Sequence, residues 1–165
     1  MKKIGIFLLS FLLILNFSAC SSNKSAENTT ETTTKFTTES TTAPTTIKEE
    51  TTMINIKIGD KTFTAKLYDN ETAKAFAEML PITLDMNELH GNEKYYYFNN
   101  SLPANATDID KINNGDIMLY GSDCLVVFYD SFSTNYSYTK IGHIENPTEL
   151  AETVGNGNIT ITFEK

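Results

Sequence analysis

The sequence predicts a mainly β domain over residues 53–165, a closed eight-stranded β-barrel with two short helices. Segments in which apolar and polar residues alternate recur along this stretch, with turn residues between them. Two short helical patterns interrupt the series. About eight strands in roughly 110 residues fit a closed or nearly closed barrel, because eight strands leave an interior that side chains just fill.

A capped amphipathic helix and the strand that follows it are predicted within residues 67–86. Asp69 and Asn70 offer side-chain oxygens to the free N–H groups of the first helical turn. Apolar residues then recur at helical spacing, namely Ala73, Phe76, Ala77 and Leu80. Pro81 ends the helix, and the alternation in Ile82–Met86 is typical of a half-buried strand. We therefore expect one short helix to plug the surrounding β structure.

The other strands are predicted from alternation and from turn residues. A hairpin joins Met53–Ile58 to Phe63–Leu67 around Gly59-Asp60-Lys61. The later strands are predicted at Glu93–Phe98, Ile117–Tyr120, Cys124–Tyr129, Tyr138–Ile144 and Asn158–Phe163. Of these, the segment 124–129 is almost continuously apolar and should be the most central strand.

The connecting segments complete this prediction. Residues 88–92, 99–105 and 130–137 are predicted loops, and Pro147–Val154 is a predicted short helix. Residues 109–112 fit either one helical turn or a short extended piece.

The first nineteen residues have the pattern of a secretory signal. Lys2 and Lys3 precede an apolar run that is too short for a membrane-spanning helix, and small residues stand before Cys20. This end resembles the bacterial lipobox, although Phe17 stands where leucine is commoner. The resemblance implies cleavage before Cys20, a diacylglycerol on its sulfur and a fatty acid such as palmitate on its amino group. An ordinary signal peptide with a chance cysteine is the alternative.

A tether is predicted from Cys20 to residue 52. Threonine, serine, glutamate and lysine dominate this stretch, so it buries too little apolar surface to offset its ordering entropy. As a flexible coil it would span roughly 30 Å. The expected location is therefore the outer face of the cell membrane, reached through the lipid anchor. The hydroxyl groups are also candidate sites for O-glycans.

The charges and cysteines exclude several classes of function. The formal net charge is −8, which argues against a nucleic-acid partner. Arginine is absent, so no mechanism that needs a guanidinium group is available. With Cys20 lipidated, Cys124 has no disulfide partner. We interpret Cys124 as a buried bystander rather than a nucleophile, because no lysine or histidine lies near it in sequence.

Several segments follow one another in an order that is informative. They are Phe63–Leu80 with its Thr-Ala-x-x-Phe-Ala helix, Glu93–Phe98, Gly115–Tyr129, Lys140–Ile144, and then a short helix and a last strand. In this order they resemble the small bacterial cyclophilin-like domain family, over essentially all of residues 54–164. The fold that this resemblance implies is the cyclophilin-like barrel.

The resemblance to the cyclophilins themselves is more remote. Cyclophilins are peptidyl-prolyl isomerases, and the resemblance would imply an arginine on the twisted prolyl amide. Their Phe-His-Arg segment corresponds roughly to residues 95–98, and their Ser-Gln-Phe-Phe segment to residues 123–128. Here the arginine and the glutamine are both missing. Isomerisation by that mechanism is therefore not expected.

Aromatic residues are the candidate ligand groove, because a flat apolar ring with a polar tip is common at binding surfaces. The candidates are Tyr95, Tyr97, Tyr120, Tyr129, Phe132 and Tyr136. Packing inside the barrel is the alternative for each of them.

No catalytic, metal or cofactor site is predicted. His90 and His143 lie far apart and lack the spaced cysteine or carboxylate partners of a metal site. The expected function is a non-catalytic binding module for a peptide, an extended protein segment or a small envelope ligand. A weak prolyl isomerase or folding factor at the cell surface is the alternative, and a spacing protein without a ligand is a third.

Overall fold

The computed structural model describes residues 51–165, and this part of the chain forms eleven strands and two helices. In chain order they are β1 (Met53–Ile58), β2 (Lys61–Leu67), α1 (Glu71–Glu78), β3 (Ile82–Leu89), β4 (Glu93–Tyr97), β5 (Thr107–Asp108), β6 (Lys111–Ile112), β7 (Asp116–Tyr120), β8 (Cys124–Phe128), β9 (Phe132–Ser133), β10 (Ser137–Ile144), α2 (Leu150–Val154) and β11 (Ile159–Glu164). The predicted signal peptide (1–19), Cys20 and the predicted tether up to residue 50 lie outside the described residues.

Eight of the strands close into a barrel. Their order is β2-β1-β11-β3-β4-β8-β7-β10, and β10 pairs again with β2. Each neighbouring pair in this ring is antiparallel. β5 adds to β10, while β6 and β9 form a separate two-stranded ribbon. The predicted fold, a mainly β closed barrel of eight strands with two short helices, is confirmed.

The barrel interior holds the main hydrophobic core. Alternate residues of each strand point into it, as with Ile54, Ile56 and Ile58 of β1, none of which is more than 1% exposed. The described residues lie within one compact unit. Because the described part of that unit contains a closed set of strand pairs and its own core, we take it as able to fold by itself.

Helix α1 closes the barrel as the sequence predicts. The Asn70 side chain accepts a hydrogen bond of 2.8 Å from the Ala73 N–H and caps the helix, whereas Asp69 forms an ion pair with Lys74 instead. Phe76 is fully buried and meets the Phe163 ring edge to face, at 5.4 Å between centroids. The helix thus contributes one aromatic side chain to the core of the barrel.

The structure differs from the sequence prediction at several connections. β3 continues to Leu89, into the predicted loop 88–92, because residues 87–89 pair with 93–95 of β4. In the segment 109–112, for which the sequence fits either a helical turn or an extended piece, residues 109–110 connect β5 to β6 and residues 111–112 form β6. The predicted loop 130–137 contains β9. Helix α2 begins at Leu150, three residues after Pro147.

Gly142 lies at the seam where β10 meets β2, and the register of β10 on β7 shifts just before it. A Cβ at this position would stand 2.8 Å from the Lys66 carbonyl oxygen and 2.9 Å from Leu67 Cδ2. Real Cβ atoms essentially never approach a backbone oxygen so closely. The seam therefore depends on the missing side chain at Gly142.

Replacing Gly142 with alanine should destabilise the domain by about 1–3 kcal/mol, because the added methyl group pushes β10 away from β2. Urea unfolding of residues 46–165 measures the loss. Gly157→Ala is the matched control, since nothing lies within 4 Å of its added Cβ. Equal stability of the two variants would contradict the role given to the seam.

Candidate functional site

A cavity of about 720 Å³ lies on the outer surface of the barrel wall. The end of β3, the turn that follows it, strands β4, β7, β8 and β10 and the segment around β9 all contribute to it. We call it the tyrosine cavity, and its lining residues are Leu89, His90, Asn92, Glu93, Tyr95, Tyr97, Tyr120, Cys124, Val126, Phe132, Ser133, Thr134, Asn135, Tyr136 and Tyr138.

Strand alternation brings the tyrosines of β4 to this face. Tyr96 packs against the barrel core, so its neighbours Tyr95 and Tyr97 point outward. In the sheet, Tyr95 is paired with Val126 and Tyr97 with Cys124. The outward side chains of two neighbouring strands therefore form one continuous surface.

The floor of the cavity is a second hydrophobic cluster, on the outside of the barrel. Segments 107–112 and 132–138 cover this part of the wall, so strand β8 is buried on both faces. The cluster contains Ile109, Ile112, Met118, Cys124, Val126, Phe128 and Tyr138, with Tyr95 and Phe132 packed against it. The cluster thus includes the Tyr138 ring and packs against the Tyr95 ring.

The aromatic rings of the cavity contact one another in pairs. Ring centroids are 5.7 Å apart for Tyr95 and Tyr97, and 6.0 Å apart for Tyr120 and Tyr136. Tyr138 lies 5.5 Å from Tyr120 and connects these rings to the floor. Tyr97 and Tyr136 are 57% and 62% exposed, so much of their ring surface is available to a partner.

The ionisable groups of the cavity carry little positive charge. Among the lining residues there is one carboxylate, Glu93, one imidazole, His90, and no lysine. Burial raises the pKa of Glu93 above its ordinary value. Burial also raises the pKa of the Cys124 thiol to about 11, which leaves it protonated and unreactive at neutral pH.

The structure brings together five of the six aromatic candidates. Tyr95, Tyr97, Tyr120, Phe132 and Tyr136 all line the tyrosine cavity. Tyr138 and Glu93 also line it and were not among the sequence candidates. Glu93 could have been identified from the sequence, because alternate residues of a strand share a face and Glu93 therefore lies on the same side of β4 as Tyr95 and Tyr97.

Tyr129 is the exception, and its assignment to the groove is wrong. It is 6% exposed, belongs to the barrel core and does not line the tyrosine cavity. Its hydroxyl donates a hydrogen bond of 2.7 Å to Glu88. Leu125 and Val127 of β8 point into the barrel, and Tyr129, two residues further along the chain, points the same way.

A buried ion pair lies beside Tyr129 inside the barrel. Lys94 is 0% exposed, and its ammonium group donates to the Glu88 carboxylate and to the carbonyls of Gly155 and Gly157, at 2.8 and 2.7 Å. The Tyr129 ring lies 5.0 Å from the Lys94 nitrogen. This group of contacts joins β3, β4 and the end of α2.

Glu88 is held in its charged form. Burial opposes the charge, but hydrogen bonds from Lys94, Tyr129 and the Gly91 N–H together hold the pKa of Glu88 below its ordinary value of 4.5. A carboxylate whose pKa falls on folding stabilises the fold above the unfolded pKa, and this stabilisation is lost as pH falls through the folded value.

The two histidines do not form a shared site. His90 lines the tyrosine cavity, whereas His143 on β10 lies 2.9 Å from the Asp116 carboxylate through its Nδ1 atom. Within residues 51–165, no three histidine, cysteine or carboxylate side chains are grouped as metal ligands would be. No helix in the same range has the length and apolar character needed to cross a membrane.

Glu88→Gln should destabilise the domain by about 3–5 kcal/mol at neutral pH, because it leaves the Lys94 ammonium buried without an anion. The difference in unfolding free energy between wild type and variant should begin to shrink as pH falls below 4.5, and the loss should be completed as pH passes through the lower pKa of folded Glu88. Urea unfolding at several pH values measures both effects.

The double variant Glu88→Gln/Lys94→Met provides the control for this prediction. It removes the unpaired charge as well, so it should be more stable than Glu88→Gln alone. A Glu88→Gln variant as stable as wild type at pH 7 would contradict the account.

Two segments of the cavity wall are those for which the sequence suggests a rough correspondence with the Phe-His-Arg and Ser-Gln-Phe-Phe segments of cyclophilins. Residues 95–98 and 123–128 are neighbours through the pairing of β4 with β8, and both contribute lining residues. Neither supplies a guanidinium group or a glutamine.

Comparison with known proteins gives a family and a fold. The pattern of the cyclophilin-like family matches residues 56–164. No curated protein matches the sequence. Among solved structures, the hypothetical protein AF2241 from Archaeoglobus fulgidus is similar, with 20% identity and a TM-score of 0.52 over 69% of this chain and 94% of that one. The chain belongs to the cyclophilin-like family.

Proposed function

We propose that this protein is a lipid-anchored, extracytoplasmic binding module whose tyrosine cavity takes an extended peptide segment. The observation that carries the proposal is the concentration of exposed apolar surface at the cavity. Six large hydrophobic residues of the described chain are exposed, and four of them line it, namely Leu89, Tyr97, Tyr120 and Tyr136. Exposed apolar surface concentrated in this way is typical of interaction sites.

The size and chemistry of the cavity agree with such a ligand. A volume of about 720 Å³ lies within the range of roughly 300–1,000 Å³ that is common for ligand sites. Tyrosine rings offer a large contact area at low cost in conformational entropy, and their hydroxyl groups can bond to peptide groups. Ser133, Thr134 and Asn135 add further polar groups along one wall.

Binding is favoured over catalysis by what the wall lacks. Stabilising a twisted prolyl amide needs a fixed donor aimed at the reacting group. The lining side chains include no arginine or lysine. The Cys124 thiol, with its pKa raised by burial, is not an activated nucleophile.

Peptide binding is tested by recording amide NMR spectra of residues 46–165 while a pool of random, end-capped hexapeptides is added. Shift changes should concentrate at residues 89–97, 120–126 and 132–138. With the best-binding member of the pool, Tyr97→Ala and Tyr136→Ala should each weaken affinity by about tenfold. Tyr68→Ala is the control, because Tyr68 is 40% exposed but does not line this cavity.

Two results would overturn the binding proposal. One is the absence of shift changes with any peptide, which would favour a spacing role. The other is prolyl-isomerase turnover in a protease-coupled assay that Tyr97→Ala abolishes, which would favour the alternative function.

The membrane anchor is a separate part of the proposal, supported by the lipobox-like sequence that ends at Cys20. Cells that express the full chain should incorporate labelled palmitate into it, and Cys20→Ser should abolish the label and move the protein to the soluble fraction. Cys124→Ser is the matched control and should keep the label. A wild-type protein without label, or a labelled Cys20→Ser variant, would contradict the anchor.

A further inference from the structure

Glu93 is a carboxylate in the wall of the tyrosine cavity, and His90 is the group near it that can carry a positive charge. It shares the outward face of β4 with Tyr95 and Tyr97, and it is paired with Phe128 of β8. Within residues 51–165 the Glu93 side chain forms no hydrogen bond and no ion pair. Its neighbours on this face are aromatic and aliphatic side chains.

The other partly buried acidic groups of the wall show what Glu93 lacks. Glu88 accepts hydrogen bonds from Lys94, Tyr129 and Gly91. Asp116 accepts one from the Asn113 N–H and lies beside His143. Because a desolvated carboxylate is costly without a partner, the isolated position of Glu93 indicates a site for an external cation.

The rings beside Glu93 favour the same kind of ligand. The face of a tyrosine ring is electron-rich and attracts an ammonium group within about 6 Å of its centroid. The lining side chains include Tyr95, Tyr97, Tyr120, Tyr136 and Tyr138 in the same cavity as this one carboxylate. His90 is the other ionisable group with a basic nitrogen on this wall, and the chain as a whole carries a net charge of −8.

We infer that the tyrosine cavity recognises a lysine-type ammonium group of its peptide ligand, held between the Glu93 carboxylate and the tyrosine rings. This inference rests on the proposed function and specifies its ligand chemistry. An ammonium group supplies the donors that the Glu93 oxygens lack, and its alkyl stem packs along the apolar floor.

The test compares three probes that differ in one side chain, acetyl-Gly-Ala-X-Ala-Gly-amide with X as lysine, norleucine or glutamate. Residues 46–165 are titrated with each at pH 8, where imidazole side chains are generally neutral. The lysine peptide should bind about tenfold tighter than the norleucine peptide, which keeps the stem but lacks the charge. The glutamate peptide should bind most weakly.

Glu93→Gln keeps the shape of the side chain and removes its charge. It should weaken binding of the lysine peptide by about tenfold and leave the norleucine peptide unchanged. Glu78→Gln is the matched control, because Glu78 is exposed and lies outside the tyrosine cavity. It should leave both affinities unchanged. Urea unfolding checks that each variant is folded.

Failure of this inference can be told apart from failure of the proposed function. Equal affinity for the lysine and norleucine peptides, or an unchanged lysine affinity in Glu93→Gln, would overturn the cation site and leave peptide binding intact. No binding of the lysine peptide at millimolar concentration would overturn it as well. If no peptide of the random hexapeptide pool caused NMR shift changes, the proposed function itself would be overturned.

Discussion

The closure of the sheet between β10 and β2 is the constraint on which the rest of the structure depends. Only when these strands meet does the sheet acquire an inside, which the aliphatic residues of β1 and Phe76 of α1 then fill. Closure also removes the free edges that would otherwise pair with other chains. The contact is possible because residue 142 is a glycine, so the close approach of β10 to β2 depends on the absence of a side chain at this position.

A closed wall has two faces, and this chain uses both. The inner face carries the main core, while the outer face of β4, β7 and β8 carries a second cluster under the segments around β5, β6 and β9. The two acidic residues near the start of β4 show the contrast. Glu88 turns inward and is neutralised by Lys94, whereas Glu93 turns outward among aromatic rings and has no such partner.

Local patterns were sufficient to predict most of the fold. The helix with its cap at Asn70, the hairpin of β1 and β2 and the positions of the long strands along the chain all follow from residues close together in sequence. Tyr129 could not be assigned in this way. Residues 124–129 are almost all apolar, so alternation gives no phase, and the side of the wall that Tyr129 faces is set by pairing with distant strands. The burial of Lys94 likewise depends on carbonyl groups more than sixty residues away.

The order of strands around the ring also separates the cavity from the point where the chain enters the domain. In a ring of eight, β1 and β8 stand four places apart, on opposite sides of the barrel. Because β8 forms the floor of the tyrosine cavity, the opening of the cavity is directed away from β1, the strand at which the chain joins the barrel. A peptide ligand of the proposed kind would therefore reach this face from the side of the barrel opposite the entry strand.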